Sequence, residues 1–537
     1  MDDPGHPASR RGSGAPGGPA DRPFRPSAYQ QAIFDFVRSG SGDGVVRATA
    51  GSGKTTTLVE IARQLPDDLN ACFLAFNKHT ADELSARLPR HVRACTVHQL
   101  GNRSLRTAYP HLKGKDPQPK KLRHLVRERI QALSADFACS KGDWALASNY
   151  LYELARFAML NLTDPRLEEE IAALAIEYNL TPPTDHSLER QCHLEVRSLL
   201  RLRLDVLKTQ GLYDYEDMLH LPAALQLPVE QFDFVFVDEA QDLNAVQLEL
   251  VLRAMRPGGR RLFVGDERQA IYGFAGADTD SLQRIVQRTD ATILPLSITY
   301  RCPRSHVALA RQLAPEIEAA PDATEGKVAV IAEAALDRWL RPGALVLCRF
   351  TAPLVQHCLA QVRAGRPAVV RGMDIGKRLE SMATQLFPHS LEGWEGTLQA
   401  YSLTEEARIR ATTQNDEDLD RQLMLRRDLI LCLKAITRDV VTGGGQHLRE
   451  LLGSIARLFS DQDSPVVFST IHKAKGKEAD RVFILYPESM PAVYARTANA
   501  ARGEACVQFV ALTRSKRDLI FVRQPPREDF SFELVPG

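Results

Sequence analysis

No stretch of the 537 residues is apolar for long enough to cross a membrane, and residues 1–26, rich in Gly, Pro, Ala, Ser and Arg, hold no apolar core of the length a secretory signal needs. The chain reads as cytoplasmic and nucleoid-associated, with no membrane partner and a disordered leader over 1–25. Its nine cysteines are odd in number and contain no Cys-x-x-Cys pair, which excludes a disulfide framework and the grouped ligands of structural zinc or an iron–sulfur cluster. The Cys192-His193 pair reads as a coincidence on a helix surface. Charge is also nearly absent in sum, at +1, a balance compatible with a local cationic groove and equally with none. No internal repeat is present.

What is there is an ordinary globular composition, 44% apolar and 25% charged, with room for about three or four domain-sized units. Short β-rich runs at 45–48, 71–76, 92–96, 232–238, 261–266 and 292–296 alternate with amphipathic helical stretches. A second set follows at 328–331, 344–348, 368–371, 466–470, 482–485 and 519–522. The pattern predicts an α/β chain with two doubly wound parallel sheets. Residues 26–101 and 226–298 make the first lobe, interrupted by a helical insertion over 102–225. Residues 299–372 and 463–537 make the second, interrupted over 373–462, where Thr442-Gly443-Gly444-Gly445 forms a joint between helices.

Chemistry concentrates in the loop Ala48-Thr49-Ala50-Gly51-Ser52-Gly53-Lys54-Thr55, followed by Thr56. Its glycines let backbone N–H groups converge on phosphate oxygens, Lys54 reaches terminal phosphates, and Thr55 offers a hydroxyl to magnesium at a helix N-terminus. Ala48 stands where the strict pattern has its first Gly. Downstream, the run Phe232 to Val237 ends in Asp238-Glu239, two carboxylates at the carboxyl edge of a sheet. Asp238 is expected to hold Mg2+ and Glu239 to take the proton of an attacking water. Arg301 and Arg514 are the candidate cations for the transferred phosphoryl group.

The ordered series of these stretches resembles the superfamily 1 DNA helicases of the UvrD/Rep/PcrA kind, with some likeness to the F-box DNA helicase branch. The resemblance runs through Pro26 to Gln30, the phosphate loop, Phe76-Asn77-Lys78, Thr96-Val97-His98 and Asp238 to Asp242. It continues through Gly265 to Phe274, Tyr300-Arg301, Thr470 to Glu478, and Glu504 to Arg514. It implies two RecA-like P-loop lobes with ATP and Mg2+ between them. Gln30 is similar to the family's adenine reader, Tyr300 to its base-stacking ring, Gln269 to its γ-phosphate sensor, Arg301 and Arg514 to its two arginine fingers, and Glu478 to its ribose contact. Phe76, Asn77, Thr96, His98, Phe274, Thr470 and His472 fall at positions implied to track single-stranded DNA.

The implied activity is ATP-dependent 3′ to 5′ translocation and unwinding of tailed duplex DNA, with repair or recombination proteins as partners. A translocase that strips bound proteins, or a nucleotide-gated subunit of a repair or defence complex, are the competing readings. This chain departs from the family at Phe274-Ala275-Gly276-Ala277, where Trp-Arg commonly precedes Gly-Ala, and in a shorter second insertion. The basic run Lys113, Lys115, Lys120, Lys121, Arg123, Arg127 and Arg129 reads as a solvated helix face, with duplex guidance as the alternative.

Overall fold

The computed structural model describes residues 24–524 apart from 136, 138, 179, 181, 272–280, 414, 415 and 463. Strands β1 (Gly44–Ala48), β2 (Ala71–Ala75), β3 (Val92–Thr96), β4 (Phe232–Val237), β5 (Met255–Gly265) and β6 (Thr292–Leu296) form one sheet, ordered β3-β2-β4-β5-β1-β6. Every pairing in it is parallel. A two-stranded pair, β7 (Ile298–Thr299) with β8 (Glu318–Ala319), follows. The second sheet contains β9 (Lys327–Ala332), β10 (Ala344–Cys348), β11 (Ala368–Val370), β12 (Val466–Thr470), β13 (Ala479–Leu485) and β14 (Ser515–Arg523), ordered β11-β12-β10-β13-β14-β9.

Helices cover both faces of parallel sheets, so the inner strands are apolar without alternation. β2 and β10 are buried at every residue. In the first sheet β1, β4 and β5 are neighbours in the order β4-β5-β1, and their carboxyl ends deliver the phosphate loop, Asp238 and Asp266 to one edge.

Between β3 and β4, after the helix Val97–Ala108, lie the helices Lys121–Leu133, Lys141–Asn161, Glu168–Glu177, His186–Gln210 and Tyr215–Ala224, whose apolar faces share one continuous core with that sheet. At its centre Arg203, with a side chain 1% exposed, pairs with Asp214 and Asp217, and Lys121 Nζ lies 2.7 Å from Asp217 Oδ2. Lys121 therefore does not belong to a solvated basic face. Arg123 stacks on the Tyr152 ring and Arg129 pairs with Glu195, while Lys113, Lys115, Lys120, Arg123 and Arg127 are exposed, so the solvated face holds for most of the run and fails at Lys121. Cys192 and His193 are likewise buried, His193 Nε2 lying 2.8 Å from the Tyr150 hydroxyl. They point inward because their helix is covered by Lys141–Asn161.

Between β11 and β12 lie four further helices, including Asp416–Thr442, packed on the second sheet's core. Asp428 of that helix accepts the backbone N–H groups of Thr351 and Ala352, capping the helix Thr351–Arg363 from outside. Among the described residues no helix is long and apolar enough to cross a membrane, and no cluster of three metal-ligating side chains occurs.

Candidate active site and strand-binding track

β1 feeds directly into the phosphate loop, where Gly51 (φ +71°) and Gly53 (φ +78°) take left-handed conformations. A Cβ on Gly51 would stand 2.5 Å from Arg301 Cβ, so only glycine admits the second lobe this close. Gly53 caps the helix Lys54–Gln64 without a side-chain hydrogen bond, which leaves the helix's first N–H groups to an anion. Thr49 Oγ1 and Ser52 Oγ are buried and find no partner among the described residues. Ala48 and Ala50 are buried beneath the loop, whereas Thr56 faces outward. Orphaned hydroxyls and uncapped amides are the donor set a polyphosphate satisfies, so the loop fits the nucleotide.

Thr55 Oγ1 lies 3.2 Å from Asp238 Oδ2, bringing together the hydroxyl and carboxylate expected to hold magnesium; all-oxygen donors suit that ion. Burial, and next the charge of Glu239, pushes Asp238 up to about 6. Burial alone would raise Glu239 too, but Lys54, Lys475, a Gln241 hydrogen bond and Arg514 outweigh it and hold that carboxyl below its ordinary range. Neighbouring acids are thereby separated, with Glu239 kept ionised. Glu239 sits at φ +52°, a left-handed conformation that costs a non-glycine residue about 1 kcal/mol and re-aims its side chain. Gln241 fixes it, donating Nε2–H to Glu239 while Oε1 accepts the Asp266 N–H at 3.0 Å. Gly265 leaves room for that amide, since a Cβ there would stand 2.6 Å from Gln241 Oε1.

From the second lobe, the fully buried Arg514 donates Nη2–H to Gln269 Oε1 at 3.1 Å, and Gln269 donates in turn to Asp266. Burial, then the charge of Arg301, pulls Arg514 down to about 10. Arg301 donates to Glu478, which also pairs with Lys516, and to the Thr513 carbonyl at 3.3 Å. Around them opens a cleft of about 640 Å³, lined by Gly51 and Gly53 on one side and Tyr300, Arg301, Glu478 and Lys516 on the other. The Tyr300 ring is 51% exposed at its edge. Gln30 lies behind Gly53 at 2% exposure; its Oε1 accepts the Ser27 N–H and its Nε2 donates to the Thr57 hydroxyl.

Gln241, Asp266, Lys475 and Lys516 also shape the site, and sequence reasoning assigned them no role. The signal available was their place inside the motif stretches, Asp266 beside Gln269 and Lys475 beside Glu478.

The candidate strand residues are distributed over both sheets. Phe76 is 46% exposed at the end of β2. Asn77 and Thr96 cap the following helices, accepting the N–H groups of Thr80 and Gln99 and leaving the Asn77 amide NH2 and the Thr96 O–H as donors. His98 is held below its ordinary pKa by burial, and with Phe76 and Asp238 it borders one narrow crevice. A base stacked on Phe76 and an ion on Asp238 would thus share a wall. Thr470 ends β12 and His472 lies two residues beyond it, and burial, then Arg349, pulls His472 down to about 3, leaving a neutral imidazole. Phe274 lies outside the described residues.

With this geometry in place, comparison with known proteins is informative. The UvrD/REP helicase N-terminal domain matches residues 30–290, and the UvrD-like helicase C-terminal domain matches residues 398–524. The F-box DNA helicase protein 1 of Schizosaccharomyces pombe is 28% identical over 43% of this chain and 26% of its own length. A probable DNA helicase II homolog of Mycoplasma genitalium is 25% identical over 52% and 41%, and the ATP-dependent DNA helicase PcrA of Leuconostoc citreum 24% identical over 46% and 34%. The chain thus spans between a quarter and two fifths of the length of these relatives.

Proposed function

This chain belongs to the UvrD/REP helicase family, and we propose that it is an ATP-driven motor that moves 3′ to 5′ along single-stranded DNA and opens duplexes, acting in repair or recombination. The observation that carries this reading is convergence: Lys54 of one lobe and Arg514 of the other both act on Glu239, beside the Thr55–Asp238 pair, while Arg514 also bonds Gln269 and feels the charge of Arg301, which lines the cleft with Gly51 and Gly53.

ATP would lie with its phosphates over Gly51 to Thr55 and its base against Tyr300, and magnesium would be held by Thr55 and Asp238 to neutralise phosphate charge. Glu239, ionised and aimed by Gln241, takes the proton of the attacking water. Arg514 and Arg301 present guanidinium groups to the developing negative charge, and Gln269 links that charge to Asp266 at the end of β5. The arginines come from the second lobe, so their gain from the terminal phosphate draws the lobes together, and its loss lets them part. Phe76 on the first lobe and Thr470 and His472 on the second then change separation, and a strand resting on both is advanced.

The test is ATP turnover compared across single-stranded DNA, RNA and duplexes with 3′ or 5′ tails, together with strand displacement. Stimulation by single-stranded DNA and opening of the 3′-tailed duplex are expected. DNA-stimulated turnover without opening would replace unwinding by translocation that strips bound proteins. Turnover indifferent to nucleic acid would overturn both, leaving a nucleotide-gated subunit.

A further inference from the structure

The first lobe holds a further cavity, at the edge of its sheet away from the nucleotide. It is bordered by Asp233 and Phe234 at the start of β4 and by residues 257–260 in the first half of β5, whereas the phosphate loop, Asp238 and Asp266 lie at the carboxyl ends of β1, β4 and β5. Its volume of about 710 Å³ exceeds the 640 Å³ of the nucleotide cleft and is of the size that encloses a small molecule. The motor chemistry gives it no role. Phe34, Ile61, Leu65 and Phe234 give it a buried, apolar lining. One wall is an excursion of the chain: Phe232 pairs with Met255 but Phe234 with Arg260, so residues 256–259 stand opposite Asp233 alone, and Pro257 and Gly258 border the cavity.

Of the two arginines on this cavity, Arg38 pairs with Asp35, whereas Arg260 is held without an ion pair. Its guanidinium lies over the Phe36 ring, 4.7 Å from the centroid, and donates to the carbonyls of Gly42 at 3.0 Å, Val37 at 2.7 Å and Phe36 at 2.9 Å. Among the described residues no carboxylate pairs with it, and part of its five-donor fork is left over. Burial, partly offset by Asp43, draws it below its ordinary pKa, as befits a charge short of a counter-ion. Asp233, the acid on the same wall, is already spent on the Asn70 N–H and on Arg256. An apolar lining with one fixed, unpaired guanidinium favours a small apolar molecule that carries a single negative charge.

The two helices that wall the cavity both begin at the nucleotide. The helix Ala28–Ser39 brings Phe34 to the cavity and carries Gln30 in its N-terminal capping box. The helix Lys54–Gln64 brings Ile61 and starts directly after the phosphate loop. At 12 and 11 residues they are rods of about 16–18 Å, so a ligand between their far ends and a nucleotide at their near ends act on the same two bodies.

We infer that this cavity is an effector site for a small aromatic acid, ionised at neutral pH, with its apolar body against Phe34 and Phe234 and its anion on Arg260. The effect on the nucleotide rests on the ATP reading above; the cavity and its ligand class do not.

The experiment titrates the full chain with 8-anilinonaphthalene-1-sulfonate and with N-phenyl-1-naphthylamine, the same body without the anion, and follows their fluorescence. Wild type is expected to bind the sulfonate about tenfold tighter, the size of effect a charge-assisted hydrogen bond confers in a partly open site. Arg260→Gln should abolish that preference. Gln64→Glu, at an exposed position on the rim, should weaken the sulfonate about threefold, leave the neutral probe unchanged and keep the test standing where Arg260→Gln fails to fold. Leu69→Trp, which fills the cavity, should weaken both probes by about tenfold. Saturating ADP is expected to change the Kd of the sulfonate about fivefold and then no further. Equal affinity of wild type for the two probes, or a preference untouched by Arg260→Gln and Gln64→Glu, overturns the assignment, as does binding indifferent to Leu69→Trp. A Kd that climbs in proportion to ADP places the probe in the nucleotide cleft and overturns it too, and a Kd indifferent to bound ADP overturns the effector role. Failure of ADP to bind at all would sink the ATP reading and leave the ligand class of this cavity standing.

Discussion

Lys475 and Asp242 form an ion pair between the lobes, with Nζ 2.6 Å from Oδ2 and side chains only 7% and 1% exposed. Burial, partly offset by Lys475 and reinforced by the charge of Glu239, raises the Asp242 carboxyl to about 6. Removing the cation leaves an acid dry and facing another acid. Lys475→Met is therefore expected to destabilise the closed arrangement by about 3–5 kcal/mol and lower turnover, whereas Lys475→Met with Asp242→Leu restores the melting temperature. Melting curves of the two single variants and the double variant check this. Equal melting of Lys475→Met and wild type would show that the pair holds nothing together.

Gln269 is the amide through which Arg514 reaches Asp266. Gln269→Ala is expected to lower kcat about 100-fold with a small change in KM, because the lost contact orients charge for the transition state more than it binds nucleotide. Steady-state kinetics on saturating single-stranded DNA decides it, and a rise in KM with kcat intact would assign Gln269 to binding alone.

Phe76 offers a half-open ring at the end of β2. Phe76→Ala should weaken single-stranded DNA binding by about 1–3 kcal/mol, or about 5- to 150-fold in Kd, with ADP affinity in the absence of DNA unchanged. Fluorescence anisotropy of a labelled oligonucleotide is the measurement. Unchanged affinity would assign the ring to packing.

His220 gives a pH signature. Among the described residues its buried Nδ1 finds no hydrogen-bond partner, and burial followed by the Arg203 charge pulls it down to about 3 despite Asp214. The folded pKa lies below the unfolded one, so the stability it contributes is full above about 6.5 and drains away as pH falls toward 3. Asp217 works in the opposite sense. Burial raises it to about 6, so its contribution is present below about 4 and is lost as pH rises through 6. His220→Asn is expected to flatten the loss of melting temperature between pH 6.5 and 5, and an unaltered slope would place the titration elsewhere.

All twelve strands of the two sheets were legible as short β-rich runs, the inner ones because buried parallel strands are written as continuous apolar stretches, while the edge strands β6 and β9 are largely exposed. Their starts were less so: β5 begins at Met255, six residues ahead of the apolar run, through Arg256, Gly258 and Arg260. The two-residue strands β7 and β8 carry no periodicity to read. Within the site, the phosphate loop and the paired acids could be read from their own residues at the ends of β1 and β4, whereas Arg301 and Arg514 were singled out mainly by the family resemblance. Partnership across the cleft was not legible, because Lys475 and Asp242 are 233 residues apart and meet only after both sheets have formed. Lys121 misled for the same reason, its basic neighbours giving no sign of an acid 96 residues downstream.

The Tyr300 N–H bonds the Gly51 carbonyl at 2.9 Å, so the strap joining the halves is stitched to the cup that cradles the fuel. Swinging the jaws apart must pivot on or snap that stitch, which makes seat and hinge a single joint. On the proposed reading, recoil after phosphate departure would need no relay of distant levers, because the stroke would begin at the spent cup itself.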